Sequence, residues 1–410
     1  MEPSDIRVLD PDVYESGDPA DNGLPHAQYG WLREHAPVFR QDIHDEALVP
    51  WTWIVSRHED VVRVSSDHRT FGSSRGVTLR QFEPTLSEHG GKDAMITMDG
   101  ERHVRNRRIV ARGFAPSVVR SFEEHYRALA ADLVDGALEK GSFDFVKDIA
   151  TELPLRAICE LMGVPNDEQA QVLAWSNTFS NATDPEYAPS PEAVMEAVVG
   201  MWNYGLELAD RRRADPGEDV MSKVVAAMEQ DQLDTDELQG MTLLLAGAGN
   251  ETTRNALSHG LNALVRHPDQ MHLLRTRTKE VLPTAVEEIL RWSTPVIMFR
   301  RTAMHDTELH GTAVAAGEKV SVLYASANFD ERVFVDPLRF DLTRDAHQHV
   351  AFGFGPHVCM GAAVARLEIR ILLEELLART AHIEFAGPMV YARDSFLRGV
   401  KHLPVSVTPA

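Results

Sequence analysis

The residues best suited to chemistry lie in the segment "AFGFGPHVCMGAAVARLEIR", residues 351–370. Cys359 follows a turn that contains Gly353 and Gly355, and it precedes a run with the spacing of a helix. Glycines allow backbone conformations that a side chain would forbid, so this loop can bring the sulfur close to a flat partner. A helix that begins after Cys359 would direct the positive end of its dipole at the sulfur and favour the thiolate.

Three roles for Cys359 are compatible with this loop. An inert buried thiol would leave the glycines unexplained. A zinc site could combine the sulfur with His347, His349 and His357. The spacing of these four ligands is untypical of zinc sites, however, and the residues between the pair His347/His349 and the pair His357/Cys359 are apolar. An axial thiolate on haem iron accounts for the glycines, for the helix start and for Gly361, which would let the helix approach the ring; such a ligand promotes O–O cleavage. A phosphate-binding loop would require a lysine that is absent here.

Charge and composition exclude several classes of protein. The 410 residues contain 41 Lys and Arg against 62 Asp and Glu, a net charge of −21, whereas nucleic-acid binding needs a concentrated positive surface. The first forty residues contain no basic start followed by an apolar run, and no stretch reaches the ~18 apolar residues of a membrane span. Two cysteines imply no disulfide framework. We therefore expect a cytoplasmic protein with no membrane span and no nucleic-acid partner.

The hydrophobic pattern predicts a mainly α protein with a smaller β-rich lobe. Helical spacing follows residues 114 and 190 and continues from 235 to 266, whereas strand signals are short and fall in 49–58, in 296–326 and in the tail. No repeat or low-complexity linker divides the chain, so one domain over residues 1–410 is expected. We assign the helical body mainly to 100–292 and 350–379, and the β-rich lobe mainly to 38–80, 293–326 and 380–410.

The predicted helix from Asp236 to Arg266 is unusual in length and in content. At 1.5 Å per residue it would extend roughly 45 Å, which is long enough to cross the domain. Its middle, "MTLLLAGAGN", is apolar on every side and so predicts burial. Glu251 and Thr252 follow at this buried midpoint, where a carboxylate is costly unless it is paired or used. The small residues before them leave room for a ligand, although the polar residues could also fill a water pocket between helices.

Several motifs together resemble the cytochrome P-450 family. The family's haem-binding loop has the pattern Phe-Gly-x-Gly-x-His-x-Cys-x-Gly, and "AGNETT" (248–253) resembles its oxygen-activation motif. "EEILRWSTP" supplies Glu288 and Arg291, which resemble the family's Glu-x-x-Arg pair. The resemblance implies a cytochrome P-450-like fold that binds haem b (iron protoporphyrin IX). The fixed positions of the loop are Phe352, Gly353, Gly355, His357, Cys359 and Gly361.

The resemblance also implies roles for individual residues on the long helix. Ala248, with Gly249, would open a groove over the haem; Thr252 would hydrogen-bond O₂ there, and Glu251 would help to relay protons. Thr253 points about 100° away from its neighbour, so only one of the two threonines can face the haem.

Two further sets of residues would hold the cofactor. Glu288 and Arg291 would brace the haem-loop side of the core, with a third partner from "DPLRFDLTR" (336–344), namely Arg339, or from the His-rich segment after it. By resemblance, the haem propionates would be bound by cations and hydrogen-bond donors from three parts of the chain. Arg300 is the sequence neighbour of one of these residues, Arg301. These propionate partners are His103, Arg107, Arg301 and His357.

The implied activity is that of a haem-thiolate monooxygenase, which inserts one oxygen atom of O₂ into a C–H bond of a hydrophobic molecule. Electrons from NAD(P)H would arrive through a ferredoxin reductase and a small ferredoxin, and the enzyme would be a monomer. Such ferredoxins are usually acidic, so a dense arginine cluster is the candidate docking face. This cluster comprises Arg102, Arg105, Arg107, Arg108 and Arg112, together with Arg366 and Arg370.

The substrate class follows from resemblance as well. "AGNETTRN", "EEILRWSTPV", "SANFDERVF" and "NATDPEY" are similar to actinobacterial enzymes that oxidise the terminal carbon of sterol side chains or methyl-branched lipids. A biosynthetic tailoring oxidase that acts on a terpene, polyketide or aromatic compound is the alternative. A non-catalytic haem- or zinc-binding protein would not need Glu251 and Thr252. The expected substrate pocket contains Val77, Leu79, Leu244, Ala248, Val296, Ile297, Met298, Phe396 and Leu397.

Overall fold

Helices make up 53 % of the residues in the computed structural model, and the strands form small sheets. This confirms the predicted mainly α fold with a smaller β-rich part. The structure describes residues 1–410, apart from the side chains of Asp21 and Pro116. The α-helices are α1 Pro11–Glu15, α2 His26–His35, α3 His58–Ser66, α4 Gly100–Ala111, α5 Pro116–Ser121, α6 Glu123–Lys140, α7 Glu152–Met162, α8 Gln169–Ser180, α9 Pro191–Ala214, α10 Val220–Met228, α11 Thr235–Arg266, α12 Pro268–Thr276, α13 Thr278–Ser293, α14 Tyr324–Ala327 and α15 Ala362–Arg379.

The strands come from widely separated parts of the chain. The largest sheet has five strands in the order β1-β2-β8-β5-β3, in which β2 and β8 are parallel and the other pairs antiparallel. A three-stranded sheet has the order β4-β12-β9, and β6-β7 and β10-β11 form separate pairs. The strands are β1 Val38–Asp42, β2 Trp51–Val55, β3 Phe71–Gly72, β4 Ser142–Asp144, β5 Phe299–Ala303, β6 Thr307–Leu309, β7 Thr312–Val314, β8 Lys319–Val322, β9 Thr380–Phe385, β10 Val390–Tyr391, β11 Val400–His402 and β12 Pro404–Pro409.

Helix α11 is the longest element and confirms the predicted long helix. Its 32 residues span roughly 48 Å at 1.5 Å per residue. It begins with a capping box, in which the Glu237 N–H donates to Asp234 Oδ1 (2.7 Å) and the Asp234 N–H donates to Glu237 Oε2 (3.2 Å). It packs against α7, α8, α9 and α13. Burial is not uniform around it, however, because Leu244, Ala248 and Thr252 keep accessible surface.

The middle of α11 was expected to be buried on every side, whereas the structure leaves one stripe of it accessible. Leu244, Ala248 and Thr252 follow one another at four-residue spacing and therefore lie on one face of the helix. The neighbours of Leu244 and Thr252 in the sequence are buried: Leu243, Leu245, Glu251 and Thr253. Hydropathy alone could not distinguish a face that packs against protein from a face that lines a cleft, since both are apolar.

A buried ion-pair network joins α13 to the segment before the cysteine loop. Arg291 donates to both carboxylate oxygens of Glu288 at 2.7 and 2.8 Å, and neither side chain has accessible surface. Arg291 also donates to the carbonyl oxygens of Asn328 and Pro337. Arg344 is the third member, with its Nε 3.2 Å from Glu288 Oε2. The expectation of Arg339 was wrong, because that residue contributes only its carbonyl oxygen, which accepts from Arg344.

We expect Glu288→Gln to destabilise the fold strongly. The substitution removes the carboxylate shared by Arg291 and Arg344, and an uncompensated buried charge costs about 3–5 kcal/mol. The measurement is the midpoint of denaturant-induced unfolding. Glu280→Gln is the matched control, since Glu280 pairs with Arg277 at the surface and should change the midpoint little. Equal midpoints for the two variants would show that the buried network contributes nothing to stability.

Candidate active site

The cysteine loop turns between α14 and α15 and is held by backbone hydrogen bonds. The Cys359 N–H donates to Phe352 O at 2.8 Å, and the Gly353 N–H donates to Val350 O at 2.9 Å. Gly353 and Gly355 have φ of 70° and 73°, which lies in the left-handed region that favours glycine. A side chain at Gly355 would also clash, since its Cβ would lie 2.4 Å from the Ser65 carbonyl oxygen at the end of α3.

The Cys359 side chain is exposed, although the protein atoms around the sulfur disfavour its charge. Burial raises the pKa of the thiol, while the Gly361 N–H, the charges of Arg107 and Arg366, and the Ala362 N–H act to lower it. Gly361 is the N-cap of α15, and a Cβ there would lie 3.9 Å from Cys359 Sγ. The start of α15 and two arginines therefore favour the thiolate in an environment that otherwise disfavours charge.

On α11, Thr252 lies on the accessible stripe with Ala248, whereas Thr253 is buried. The Thr252 hydroxyl donates to Ala248 O at 2.7 Å. Gly249 does not share this face: a Cβ at Gly249 would lie 2.6 Å from Ile158 Cγ1 of α7. Gly249 also keeps some accessible surface, and its lack of a side chain lets α11 approach Ile158 of α7 closely.

Glu251 is fully buried and forms an ion pair with Arg254, one turn later on α11. Burial raises the pKa of the Glu251 carboxyl, and the Arg254 charge and a hydrogen bond with Asn181 oppose that rise. Arg254 Nη1 also donates to Asn177 Oδ1 of α8 at 3.1 Å. Arg254 was not among the residues predicted from the sequence. Its position three residues after Glu251 places both on one face of a helix and so could have predicted the ion pair.

His103 and His357 bring α4 and the cysteine loop together. Their ring centroids are 4.2 Å apart, and His103 Nε2 is buried without a hydrogen-bond partner among the described residues. Burial, together with the charges of His357 and Arg107, lowers the pKa of His103 to about 4. His357 Nε2 lies 3.3 Å from Ser73 Oγ and 3.8 Å from Asp99 Oδ1.

Two arginines lie close to these two histidines. Arg107 Nη2 donates to Val358 O at 2.7 Å, next to the cysteine. Arg301 donates to Arg300 O at 2.9 Å, and its charge contributes to lowering the pKa of His357 after the larger effect of burial. No carboxylate of the described side chains pairs with Arg107 or Arg301. Arg300, in contrast, lies 3.1 Å from Glu83 and donates to Arg75 O, so Arg301 is the one free to bind a ligand.

This donor set fits haem. A cysteine sulfur with a helix start and two arginines beside it can bind iron as the thiolate, and His103 Nε2, Arg107 and Arg301 are donors without a carboxylate partner, as two propionates require. The zinc alternative does not fit. Among the side chains described here, His347, His349, His357 and Cys359 do not converge, and the metal-ligating group found is Glu59, Asp60 and His310, on α3 and the β6–β7 turn.

Seven of the nine apolar residues expected to line the pocket lie in three segments that meet, and the other two, Leu244 and Ala248, lie on α11. Val296 and Leu397 form an antiparallel bridge, and the Ile297 N–H donates to Phe396 O at 2.8 Å. The Val77 carbonyl accepts from the Arg300 N–H at 2.7 Å, which places the segment of Val77 and Leu79 beside β5. The burial of these side chains differs. Accessible surface remains on Leu244, Ala248, Val296 and Phe396, whereas Val77, Leu79, Ile297, Met298 and Leu397 are buried.

A second carboxylate on α13 was missed by the sequence interpretation. Glu287 accepts from Arg366 Nε at 2.6 Å and lies 3.1 Å from His349 Nε2. Although burial disfavours its charge, the hydrogen bonds from Arg366 and His349 lower the pKa of Glu287. The Arg366 guanidinium also lies 4.6 Å from the Phe352 ring centroid. Arg366 therefore ties α15 to α13 beneath the cysteine loop.

A profile of the cytochrome P-450 family matches residues 206–382. A steroid C26-monooxygenase of Rhodococcus jostii (strain RHA1) is 36 % identical over 420 residues, which covers 100 % of this chain and 86 % of the relative. A methyl-branched lipid omega-hydroxylase of Mycobacterium tuberculosis (strain ATCC 25618 / H37Rv) is 36 % identical over 394 residues, covering 94 % of this chain and 92 % of the relative.

Solved structures give the same result at the level of the fold. Mycobacterium marinum cytochrome P-450 CYP268A2 in complex with pseudoionone matches with a TM-score of 0.88 and 34 % identity, covering 96 % of this chain and 98 % of that one. CYP108D1 from Novosphingobium aromaticivorans matches with a TM-score of 0.87 and 30 % identity, covering 98 % and 97 %.

Gly353→Ala and Gly355→Ala form a matched pair that tests the cysteine loop. Both residues have positive φ, so alanine at either costs about 1–2 kcal/mol, but only Gly355→Ala adds a clash with the Ser65 carbonyl. We expect Gly355→Ala to lower the thermal unfolding midpoint and the haem content far more than Gly353→Ala. Equal losses would mean that φ, not the contact with α3, determines the requirement for glycine.

Proposed function

The chain belongs to the cytochrome P-450 family, and from this premise we propose that it hydroxylates the terminal part of a sterol side chain or of a methyl-branched lipid. Its enzyme class is that of a monooxygenase with a haem-thiolate cofactor. The observation that carries the substrate proposal is the identity of 36 % over nearly the whole chain with enzymes named for these two reactions.

The cofactor in this proposal is haem b. Cys359 Sγ would bind the iron, His103, Arg107, Arg301 and His357 would bind the propionates, and Phe352, Gly353 and Gly361 would contact the ring from the loop. The haem supplies the oxygen chemistry when bound: one atom of O₂ enters a C–H bond, and the other leaves as water with two electrons and two protons.

The residues on α11 act on protons and on shape. Ala248 leaves space above the ring, and the Thr252 hydroxyl, whose oxygen lies 2.7 Å from Ala248 O, can turn to donate to or accept from oxygen in the pocket. The Glu251 carboxyl is the proposed source of protons for Thr252. A relay acid works best when its pKa is close to the operating pH, and burial raises the pKa of Glu251 in that direction.

The pocket residues support a long apolar substrate that is attacked at one end. The accessible side chains Leu244, Ala248, Val296 and Phe396 are apolar, and the Phe396 ring lies 5.2 Å from that of Phe299. Such a lining recognises hydrocarbon by burial and offers no charged group to it. A branched alkyl chain that extends toward the haem satisfies this surface, and the ring system of a sterol would then lie farther from the iron.

We propose an acidic ferredoxin, fed by its reductase from NAD(P)H, as the electron donor. The arginine cluster is smaller than the sequence implied, because several members have partners within the chain: Arg102 and Arg105 bind Glu237, and Arg366 and Arg370 bind Glu287 and Glu123. Arg108 and Arg112 remain, exposed and without an ion pair to any carboxylate in the described part of the chain. Exposed Val104 and Val358 adjoin this face of α4 and the loop.

We further propose that the enzyme works as a monomer in the cytoplasm, where NAD(P)H is available and the Cys359 thiol stays reduced. Among the helices described here, none is long and apolar enough to cross a bilayer.

The cofactor and substrate proposals are tested by spectroscopy. Reduced, CO-bound protein should show the red-shifted Soret band of a thiolate-ligated haem, and Cys359→Ala should lose it. Next, a sterol with an intact side chain, the same sterol with its side chain removed, a methyl-branched fatty acid and a planar aromatic polyketide are compared by displacement of iron-bound water. We expect a response to the intact sterol or the branched acid and none to the truncated sterol. A preference for the polyketide would favour a tailoring oxidase instead.

Reversal of charge at Arg108 and Arg112 tests the redox partner. Arg108→Glu with Arg112→Glu should raise the ferredoxin concentration needed for half-maximal reduction about tenfold at low salt, because electrostatic steering is lost. The effect should shrink at high salt. Arg277→Glu is the control, since Arg277 is also an exposed arginine but lies on another face, between α12 and α13. An equal effect of the control would indicate a response to net charge alone.

A further inference from the structure

The Glu251–Arg254 ion pair lies in a buried polar cluster between α11 and α8. Glu251 has no accessible side-chain surface and Arg254 has 2 %. Removing two charges from water costs several kcal/mol per ion and is only partly recovered by their attraction, so well-packed apolar residues often serve stability equally well. A buried pair at the middle of the longest helix therefore calls for a role other than stability.

Arg254 reaches three elements from this position. Its Nη2 donates to Glu251 Oε2 on α11, and its Nη1 donates to Asn177 Oδ1 on α8 at 3.1 Å. Its guanidinium carbon lies 5.9 Å from the ring centroid of Tyr187, in the segment between α8 and α9. The position of Arg254, and with it that of the carboxylate, is thus determined by contacts outside α11.

The cluster retains unused hydrogen-bonding capacity. Glu251 Oε1, Arg254 Nε, Asn181 Oδ1 and both polar atoms of the Asn250 side chain are buried without a partner among the described residues. Buried polar groups in proteins are nearly always bonded to protein or to ordered water. Glu251 Oε1 and Arg254 Nε belong to the ion pair itself, and Asn181 acts on the same carboxyl group. These groups are suited to hold the water through which a proton reaches Glu251.

The segment after α8 is itself held to the C-terminal part of the chain. The Thr183 hydroxyl donates to Arg393 O at 2.7 Å, and Asp184 Oδ2 lies 3.2 Å from Lys401 Nζ. Tyr187 therefore packs against Arg254 from a fixed position. The charged and titratable groups that face Glu251 are Arg254 from its own helix and Tyr187 from this segment; α8 contributes the neutral Asn177 and Asn181.

We propose that Arg254 is a positioning residue that acts through Glu251, holding the carboxylate in the orientation required for proton transfer with Asn177 and Tyr187 as its supports. This inference rests on the proposed role of Glu251 in proton delivery. Arg254 acts without contact to the substrate or the cofactor; it keeps Glu251 able to lose and regain a proton. Without the guanidinium, the buried acid would keep its proton to a higher pH and deliver it more slowly.

The first test measures the protonation of Glu251 without turnover. Infrared spectra of ferric, substrate-free holoenzyme are recorded against pH, and the carboxylic acid band of Glu251 is identified by its absence in Glu251→Gln. This subtraction is needed because burial raises the pKa of Glu368 to about 8, so a second protonated carboxyl is present at neutral pH. We expect the Glu251 band to persist to higher pH in Arg254→Leu than in the unmodified protein, and to remain near its original position in Arg254→Lys.

The second test measures coupling, that is, product formed per electron pair consumed, with H₂O₂ release as the complement. We expect Arg254→Leu to reduce coupling about tenfold with little change in substrate affinity, and Arg254→Lys to restore part of it, since lysine keeps the charge but not the forked geometry. The double variant with Glu251→Gln should be no worse than Glu251→Gln alone. Arg266→Leu, the same substitution twelve residues later on α11, should leave coupling unchanged.

The outcomes separate the two proposals. If Glu251→Gln uncouples the reaction but Arg254→Leu does not, the inference about Arg254 is overturned and the role of Glu251 stands. If Glu251→Gln remains coupled, both fail. Additive losses in the double variant, or an unshifted infrared band in Arg254→Leu, would reduce Arg254 to a structural residue. If Arg254→Leu does not fold, Arg254→Lys and Asn177→Ala carry the same comparison, and normal coupling in both would overturn the inference.

Discussion

The conflict between burial and charge at the Cys359 sulfur is the constraint on which the rest of the structure depends. Burial raises the pKa of the thiol, yet a ligand for iron must be a thiolate. The Gly361 and Ala362 N–H groups at the start of α15, together with Arg107 and Arg366, supply the compensating positive potential. Arg366 is in turn fixed by Glu287 of α13, and the adjacent Glu288 fixes Arg291 and Arg344. Two neighbouring glutamates of α13 thus stabilise the region of the sulfur. Glu287 acts through the charge of Arg366, and Glu288 acts through the arginines that hold the backbone of the segment before the loop.

The same conflict recurs at Glu251, with a different solution. The sulfur is stabilised by groups from several elements, whereas the carboxylate has one cation, Arg254, on its own helix. Such a pair forms as soon as α11 forms, because residues three apart share a face. The contacts to α8 and Tyr187 come from tertiary packing and determine where the pair points. Residues close in sequence therefore supply the counter-charge of the acid, and residues distant in sequence determine its orientation.

The sequence was sufficient for the fold class and the long helix, because both depend on local periodicity; its motif with six fixed positions led to the proposal for Cys359. It was insufficient where a residue's partner lies far along the chain. Thr252 and Thr253 differ only in which face of α11 they occupy, and Gly249 is distinguished from Ala248 only by the approach of Ile158. Arg344 replaced Arg339 because the turn between them brings the later residue back to Glu288. Strand β4 was not predicted either, since three residues in a helical region acquire strand geometry only by pairing with β12.

The distribution of charge also takes on a different meaning in the folded protein. A chain with a net charge of −21 would repel an acidic partner if its charge were spread evenly, and a run of five arginines over residues 102–112 suggests a strong local reversal. In the folded protein these arginines have different partners. Arg102 and Arg105 form ion pairs with Glu237 at the start of α11, and Arg107 donates a hydrogen bond to the cysteine loop. Of these five arginines, only Arg108 and Arg112 are exposed and also without a carboxylate partner among the described side chains. The positive surface beside the haem is therefore small, so binding of an acidic donor there would depend on shape and on exposed Val104 and Val358 as well as on charge. A weak contact of that kind suits an electron donor that must leave after each electron.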